Sequence, residues 1–270
     1  MTFTRRLQDI QTKQNSLLCI GLDTDPEKIP EHLKSMPNPV LEFNRKIIEA
    51  TQDLVCAYKP NLAFYEAMGE RGMTILKETL KCIPSSVLTI GDGKRGDIGN
   101  TSQRYAASLF DDYDFDSVTV NPYLGFDSIE PFMIHPEKGV FILALTSNAG
   151  SKDFQRLRVG STPLYEKVVR RAKKWNTNQN IGLVVGATHP KELRRIRTIV
   201  PEMPILIPGV GKQGGGVQSS LRYGCNKQGQ LAVINVSRSI IYASPGKDFA
   251  DAARSEAKKL VEEMRTFRSQ

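Results

Sequence analysis

Histidine and tryptophan are scarce in this chain of 270 residues, which has His32, His135, His189 and a single tryptophan. His135 and His189 both precede proline at expected helix starts, where a local turn role suffices. No His/Cys/carboxylate spacing suggests zinc, and no G-x-S-x-G elbow marks a serine hydrolase. The four cysteines, Cys19, Cys56, Cys82 and Cys225, show no paired spacing, so no disulfide framework is expected. Cys19 and Cys56 fall within expected strands, where a reduced thiol packs as a small apolar group. Long hydrophobic runs are absent too. The longest clean ones, such as 140–145, are strand-sized, far short of the ~20 apolar residues that span a bilayer. The first residues carry charges but no apolar stretch, so no export signal is expected. Free thiols and no export signal point to the cytoplasm.

Aromatic residues make up only 7% of the chain, and none interleaves with the basic groups as a base-stacking platform would need. The densest basic groups, 167–174 and 191–197, sit at helical spacing and read as solvated outer faces. The net charge of +8 therefore fits a small anionic ligand, with no nucleic-acid partner and no membrane partner expected.

What is present is a rhythm. Apolar, β-branched-rich runs recur at 17–23, 54–61, 87–94, 117–122, 140–147, 181–188, 204–211 and 232–239. Each is nearly continuous in apolar character, as parallel strands buried on both faces must be. Helical patterns lie between them, for example at 38–53, 100–112 and 189–200. Eight strand–helix units most simply close into a (β/α)₈ TIM barrel, with an open doubly wound sheet as the alternative. No linker divides the chain, so residues 1–270 are expected to form one domain. The connection after the fifth strand, 148–180, is long, with a Gly/Ser-rich start and a helix expected at 163–175. It reads equally as a lid or as a tolerated insertion.

A barrel does its chemistry at the C-terminal ends of its strands. Six of the eight runs turn polar there. The first ends in Asp23 and the second carries Lys59. The third holds Asp92 and Lys94, and the fifth ends in Thr146 and Ser147. The seventh runs into GVGKQGGG at 209–216, and the eighth ends in Ser237, Arg238 and Ser239. Asp92 and Lys94 are two apart on one strand and so share a face, with Lys59 on the neighbouring strand. Opposite charges crowded in one mouth keep the lysines protonated and the aspartates ionised. Such an array delivers a proton and repels an anion at once. The glycine-rich run suits a phosphate cradle, because glycine lets backbone N–H groups approach an anion closely. Arg238, on the next strand, supplies the guanidinium that suits phosphate.

These residues carry a family resemblance. DGKRGDIGNT at 92–101 resembles the D-x-K-x-x-D-I-x-x-T signature of the orotidine 5′-phosphate decarboxylases. GLD at 21–23, the lysine of YKPN, the LTS serine, PGVGKQGG and the SRS arginine follow in the family's order. The likeness spans nearly the whole barrel, and KPNLAFYEAMG at 59–69 is similar to the longer bacterial-type branch.

The resemblance implies a carboxy-lyase that converts orotidine 5′-monophosphate to UMP and CO₂, the last step of de novo pyrimidine nucleotide synthesis. It implies no cofactor, no metal and a homodimer. Lys59, Asp92, Lys94 and Asp97 would form the alternating charge array, and Lys94 would protonate C6. Asp97, with Ile98 and Thr101, would be donated across the dimer interface. Asp23 and Lys59 would bind ribose hydroxyls, and Ser147 the pyrimidine edge. Gln213 and Arg238, with backbone amides near Gly214, would hold the phosphate. Gln218 competes with Gln213 as the loop glutamine. One departure stands out: where many members have glycine before the phosphate arginine, this chain has Ser237.

Two rivals follow from the same residues. A related barrel that shares D-x-K-x-x-D and uses Mg²⁺ would need further carboxylates, and Lys59 disfavours a metal beside it. A non-catalytic nucleotide- or nucleic-acid-binding barrel has no use for two lysines and two aspartates in one mouth.

Overall fold

The computed structural model describes residues 1–211 and 216–268. Each of the eight expected strands is present. In chain order they are β1 (Leu18–Leu22), β2 (Ala57–Pro60), β3 (Leu88–Arg95), β4 (Ser117–Val120), β5 (Gly139–Leu145), β8 (Ile181–Val185), β9 (Ile205–Pro208) and β10 (Ala232–Val236). All pair in parallel and close into a barrel in the order β1-β10-β9-β8-β5-β4-β3-β2. The two short strands β6 (Arg158–Val159) and β7 (Thr162–Pro163) form a separate antiparallel hairpin within the long connection. The closed barrel, not the open sheet, is the architecture.

Alternation along each strand divides the apolar residues into two bodies. Leu18, Ile20 and Leu22 of β1, Val118 and Val120 of β4, and Ile205 and Ile207 of β9 point outward to the helices. Cys19, Ala57, Leu88, Ile90, Phe141, Val184, Leu206 and Val233 point inward and fill the barrel's lower layers. This is the period-two rule applied to strands covered on both faces. Cys19 lies in β1, while Cys56 lies one residue before β2; both are buried, and burial pushes the Cys56 thiol up to about 12.

The bottom of the barrel is closed by an N-terminal helix, Phe3–Lys13, that the sequence rhythm did not announce. Thr2 caps it by accepting from the Arg5 N–H. Phe3, Leu7 and Ile10 pack into the inner cluster, and the Phe3 ring meets Phe141 edge-on at 5.9 Å. Gly139 makes room, since a Cβ there would lie 2.5 Å from the Phe3 ring. Phe3→Ala is expected to lower unfolding free energy by about 3–5 kcal/mol. Turnover per folded molecule should stay unchanged, because the plug lies at the end opposite the strand C-termini. Denaturant titration paired with an activity assay checks both parts.

The other expected helices are Pro39–Thr51, Gly99–Ala107 and Pro190–Ile199, with Leu164–Trp175 in the long connection. The C-terminal helix Phe249–Arg268 packs on Pro39–Thr51. One residue of the basic runs departs from the solvated-face expectation. Arg197 is buried, and its guanidinium donates to the carbonyls of Gly224, Val200, Pro201 and Met203. Burial pulls its pKa down to about 10.

The long connection is folded onto the rim of the barrel. The Gln155 amide brackets Thr146, and Arg156 pairs with Glu192 at 2.7 Å and with His189 Nδ1 at 3.0 Å. His189 Nε2 in turn stands 3.0 Å from the Thr146 carbonyl. That half-buried histidine therefore ties the insertion to the end of β5, more than a bare turn would require.

Candidate active site

The inward positions change character toward the C-terminal end of the barrel. Along β3 they read Leu88, Ile90, Asp92, Lys94: two apolar residues below, two charges above. β1 continues inward to Asp23, β2 to Lys59, β4 to Thr119 and β10 to Asn235. These side chains line a cavity of about 270 Å³, near the low end of small-ligand pockets. Leu143, Val184 and Leu206 form its apolar part, while Ser147, Asn148, Pro208, Gly209, Val210, Ser237, Arg238 and Ser239 form its rim.

The charges are in direct contact. Lys59 Nζ donates to Asp92 Oδ2 at 2.7 Å, and Lys94 Nζ donates to Asp92 Oδ1 at 2.7 Å. Lys59 Nζ also faces Asp23 Oδ1 at 3.9 Å. The chain of charge is therefore Asp23, Lys59, Asp92, Lys94, alternating in sign and summing to zero. The Lys59 side chain is only 4% exposed. Burial alone would drive its pKa down, but the Asp92 and Asp23 carboxylates outweigh burial and hold it above the ordinary lysine value. Burial likewise works against ionised Asp92, and Lys59 and Lys94 overcome it, holding the carboxyl well below the usual carboxylate range. A buried ion pair that has lost one partner leaves an uncompensated charge, so Lys59 and Asp92, both nearly enclosed, stand or fall together.

Lys94 has φ +47°, in the left-handed region that few side chains adopt. Register between β3 and β4 is interrupted between Gly91 and Arg95. Its backbone N–H donates to Thr119 Oγ1 at 2.9 Å, and Thr119 donates to Asp92 Oδ1 at 2.8 Å. Thr119, Asn61 and Asn235 are cavity residues that sequence reasoning missed. The usable signal was the alternation in SVTV, which puts Thr119 on the inward face.

Ser237 sits where its Cβ leaves no room for a side chain at position 21: a Cβ on Gly21 would approach it to 2.8 Å. The Ser237 hydroxyl donates to Asp23 Oδ2 at 2.7 Å. The departure from glycine thus adds a donor to the aspartate on the adjacent strand. Asp23 Oδ1 is buried and lacks a hydrogen-bond partner among the described residues.

The predicted anion loop begins at the end of β9. Gly209 and Gly211 both have φ +89°, a conformation that only glycine adopts without strain. Gln213 and Gly214 lie outside the described residues. Gln218 is exposed on the helix Val217–Gly224 and is absent from the cavity lining. Arg238 is exposed at the rim, at the start of the short helix Arg238–Ile241.

Asp97, Ile98 and Thr101 do not line this cavity. Asp97 accepts the Ile98 N–H at 2.8 Å, Ile98 is 57% exposed and Thr101 is exposed. Within one chain, the structure brings together Asp23, Lys59, Asp92, Lys94, Ser147 and Arg238, and leaves the Asp97 group outside.

Among the described residues no helix is long and apolar enough to cross a membrane, and no group of three or more His, Cys, Asp or Glu is placed to hold a metal ion.

Comparison with known proteins bears on family and fold. The family model described as orotidine 5′-phosphate decarboxylase / HUMPS family matches residues 16–253. A protein of Dehalococcoides mccartyi named orotidine 5′-phosphate decarboxylase is 49% identical over 272 residues, covering 99% of each chain. One of the same name from Ralstonia nicotianae is 45% identical over 275 residues, covering 100% of each. The solved structure of Leishmania donovani OMP decarboxylase superposes with a TM-score of 0.87 at 39% identity, covering 100% of both chains. With a family model over most of its length and relatives this similar from end to end, the chain belongs to the orotidine 5′-phosphate decarboxylase / HUMPS family.

Proposed function

We propose that this chain removes CO₂ from C6 of orotidine 5′-monophosphate to give UMP, with Lys94 as the proton donor. The observation that carries the reading is the alternating contact chain Asp23, Lys59, Asp92, Lys94 in the same cavity as Arg238. Within the family, relatives named for orotidine 5′-phosphate decarboxylase favour this activity over others that such a barrel could host.

Breaking the C6–CO₂ bond leaves an electron pair on an sp² carbon. The reading gives that pair no cofactor as an electron sink, so preorganised charge must stabilise it. The Lys94 ammonium stands near the developing carbanion, then gives it a proton and is recharged from solvent. Asp92 stands beside the departing carboxylate. Like charges about 3–4 Å apart at an effective dielectric of about 20 repel by about 4–5 kcal/mol. The largest enzymatic accelerations need on the order of 20 kcal/mol, so stabilisation by Lys94 carries more than repulsion does.

Asp23 Oδ1, buried and without a hydrogen-bond partner among the described residues, suits a ribose hydroxyl as donor, and Lys59 can share it. Ser147 takes the pyrimidine edge. Arg238, with Gln213 and the amides near Gly214, takes the phosphate. The apolar side chains Leu143, Val184 and Leu206 keep water from the reacting carbon.

The unit that acts is a homodimer of one-domain subunits in the cytoplasm. Ile98, Tyr105, Tyr123 and Leu124, on segments following the neighbouring strands β3 and β4, are exposed, Tyr123 by 79%. Large apolar side chains left exposed on segments after neighbouring strands favour a protein partner over water. A second copy docked there brings Asp97, Ile98 and Thr101 to the other subunit's cavity.

The test is a spectrophotometric assay of orotidine monophosphate loss in EDTA. The expected result is an unchanged rate. A rate abolished by EDTA and restored by Mg²⁺ would move the assignment to a metal-dependent barrel.

A further inference from the structure

We infer that Thr119 is a positioning residue for the proton donor: its hydroxyl fixes where the Lys94 ammonium stands. The inference rests on the assignment of Lys94 as the acid. Lys94 occupies a left-handed backbone conformation at φ +47°. The β3–β4 register breaks between Gly91 and Arg95, so the regular ladder does not hold Lys94 in place. Its N–H turns to a side chain and donates to Thr119 Oγ1 at 2.9 Å.

That contact determines the rest of the hydroxyl's geometry. With its oxygen accepting from Lys94 N–H, the hydroxyl directs its proton to Asp92 Oδ1 at 2.8 Å. This is the same carboxylate oxygen that receives Lys94 Nζ at 2.7 Å. One hydroxyl thus grips both ends of the reactive residue's setting, its main chain and its counter-ion. The loop of contacts Lys94 N–H, Thr119 Oγ1, Asp92 Oδ1, Lys94 Nζ is closed. Thr119 is 1% exposed, so solvent has little access to the position if the hydroxyl is removed. Lys59 holds the other oxygen of Asp92 at 2.7 Å, which leaves Oδ1 as the side of the carboxylate that Thr119 controls.

A valine has nearly threonine's shape and no hydroxyl. Thr119→Val leaves the Lys94 N–H without its acceptor and Asp92 Oδ1 with one donor fewer. The strained backbone then relaxes, and the ammonium shifts relative to the reacting carbon. Misplacement of a reacting group by about 1 Å costs about a hundredfold in rate.

The experiment measures kcat and KM for orotidine monophosphate on the full-length wild type and on Thr119→Val, Thr119→Ser and Lys94→Ala. The expected result is a kcat for Thr119→Val lowered about a hundredfold. Its KM should stay near wild type, because the phosphate, ribose and base contacts are untouched, and Thr119→Ser should recover most of the kcat. A purely structural role for Thr119 would not give that split together with that rescue. Should the valine chain not fold, Thr119→Ala takes its place against the same serine control. A wild-type kcat in folded Thr119→Val, with Lys94→Ala inactive, overturns the inference and leaves the role of Lys94 standing. Equal impairment of the valine and serine variants also overturns it. Turnover by Lys94→Ala within tenfold of wild type would overturn the reading of Lys94 and this inference with it.

Discussion

Lys94→Ala should lower kcat by at least about four orders of magnitude, since it removes both the general acid and the cation facing the developing charge. Among the described residues no second acid is placed to substitute. Lys59 is the other ammonium among the described cavity residues, but it is buried and held between Asp92 and Asp23. Arg238 sits at the rim, and a guanidinium does not release its proton in this range. The fold should survive. The Lys94 side chain is 46% exposed, and Asp92 keeps its contacts to Lys59 and Thr119 when that chain is cut back. A half-exposed ion pair contributes about 0–1 kcal/mol, so the thermal midpoint should move by no more than about 4 °C. Steady-state assay and calorimetry on one preparation check the two halves. Turnover within tenfold of wild type would remove Lys94 from the role of acid.

The route from sequence to site was uneven, for physical reasons. Strands buried on both faces must be apolar throughout, so the eight runs stood out, and a charge at the end of such a run is conspicuous. Asp23, Lys59, Asp92, Lys94 and Arg238 were legible on that basis, and the structure brings all five to one cavity. Thr119 was not, because threonine is an ordinary strand former and SVTV contains no charge. Its importance comes from a break in register and a left-handed residue on the adjacent strand, which a list of residue types does not reveal. The N-terminal plug was hidden for a similar reason. FTRRLQDIQTK is mostly polar, and only its tertiary position gives Phe3, Leu7 and Ile10 something to fill. In the sequence Ser237 stood out only as a departure from the family's glycine; in the fold it is a hydrogen-bond donor to Asp23.

The Asp97 group supplies the second large effect, and it is visible only when two subunits are mixed. Asp97→Ala and Lys94→Ala homodimers should each be nearly inactive, yet together they should recover activity. If Asp97 serves the partner's cavity, a hybrid dimer has one site with both residues intact and one site with neither. Random exchange makes half of the dimers hybrid, so a one-to-one mixture should reach about a quarter of wild-type turnover. The physical basis is that Asp97, Ile98 and Thr101 lie outside their own chain's cavity, on the segment after β3 that also exposes Ile98 and Tyr105. Were Asp97 instead to act within its own subunit, each hybrid would contain two damaged sites and the mixture would stay as inactive as its parents. The measurement is kcat per total subunit before and after exchange, with exchange itself followed by a mass tag on one variant. Complete exchange without recovery would locate Asp97 outside the shared chemistry, and would leave the ammonium–carboxylate chain of β1 to β3 to act alone.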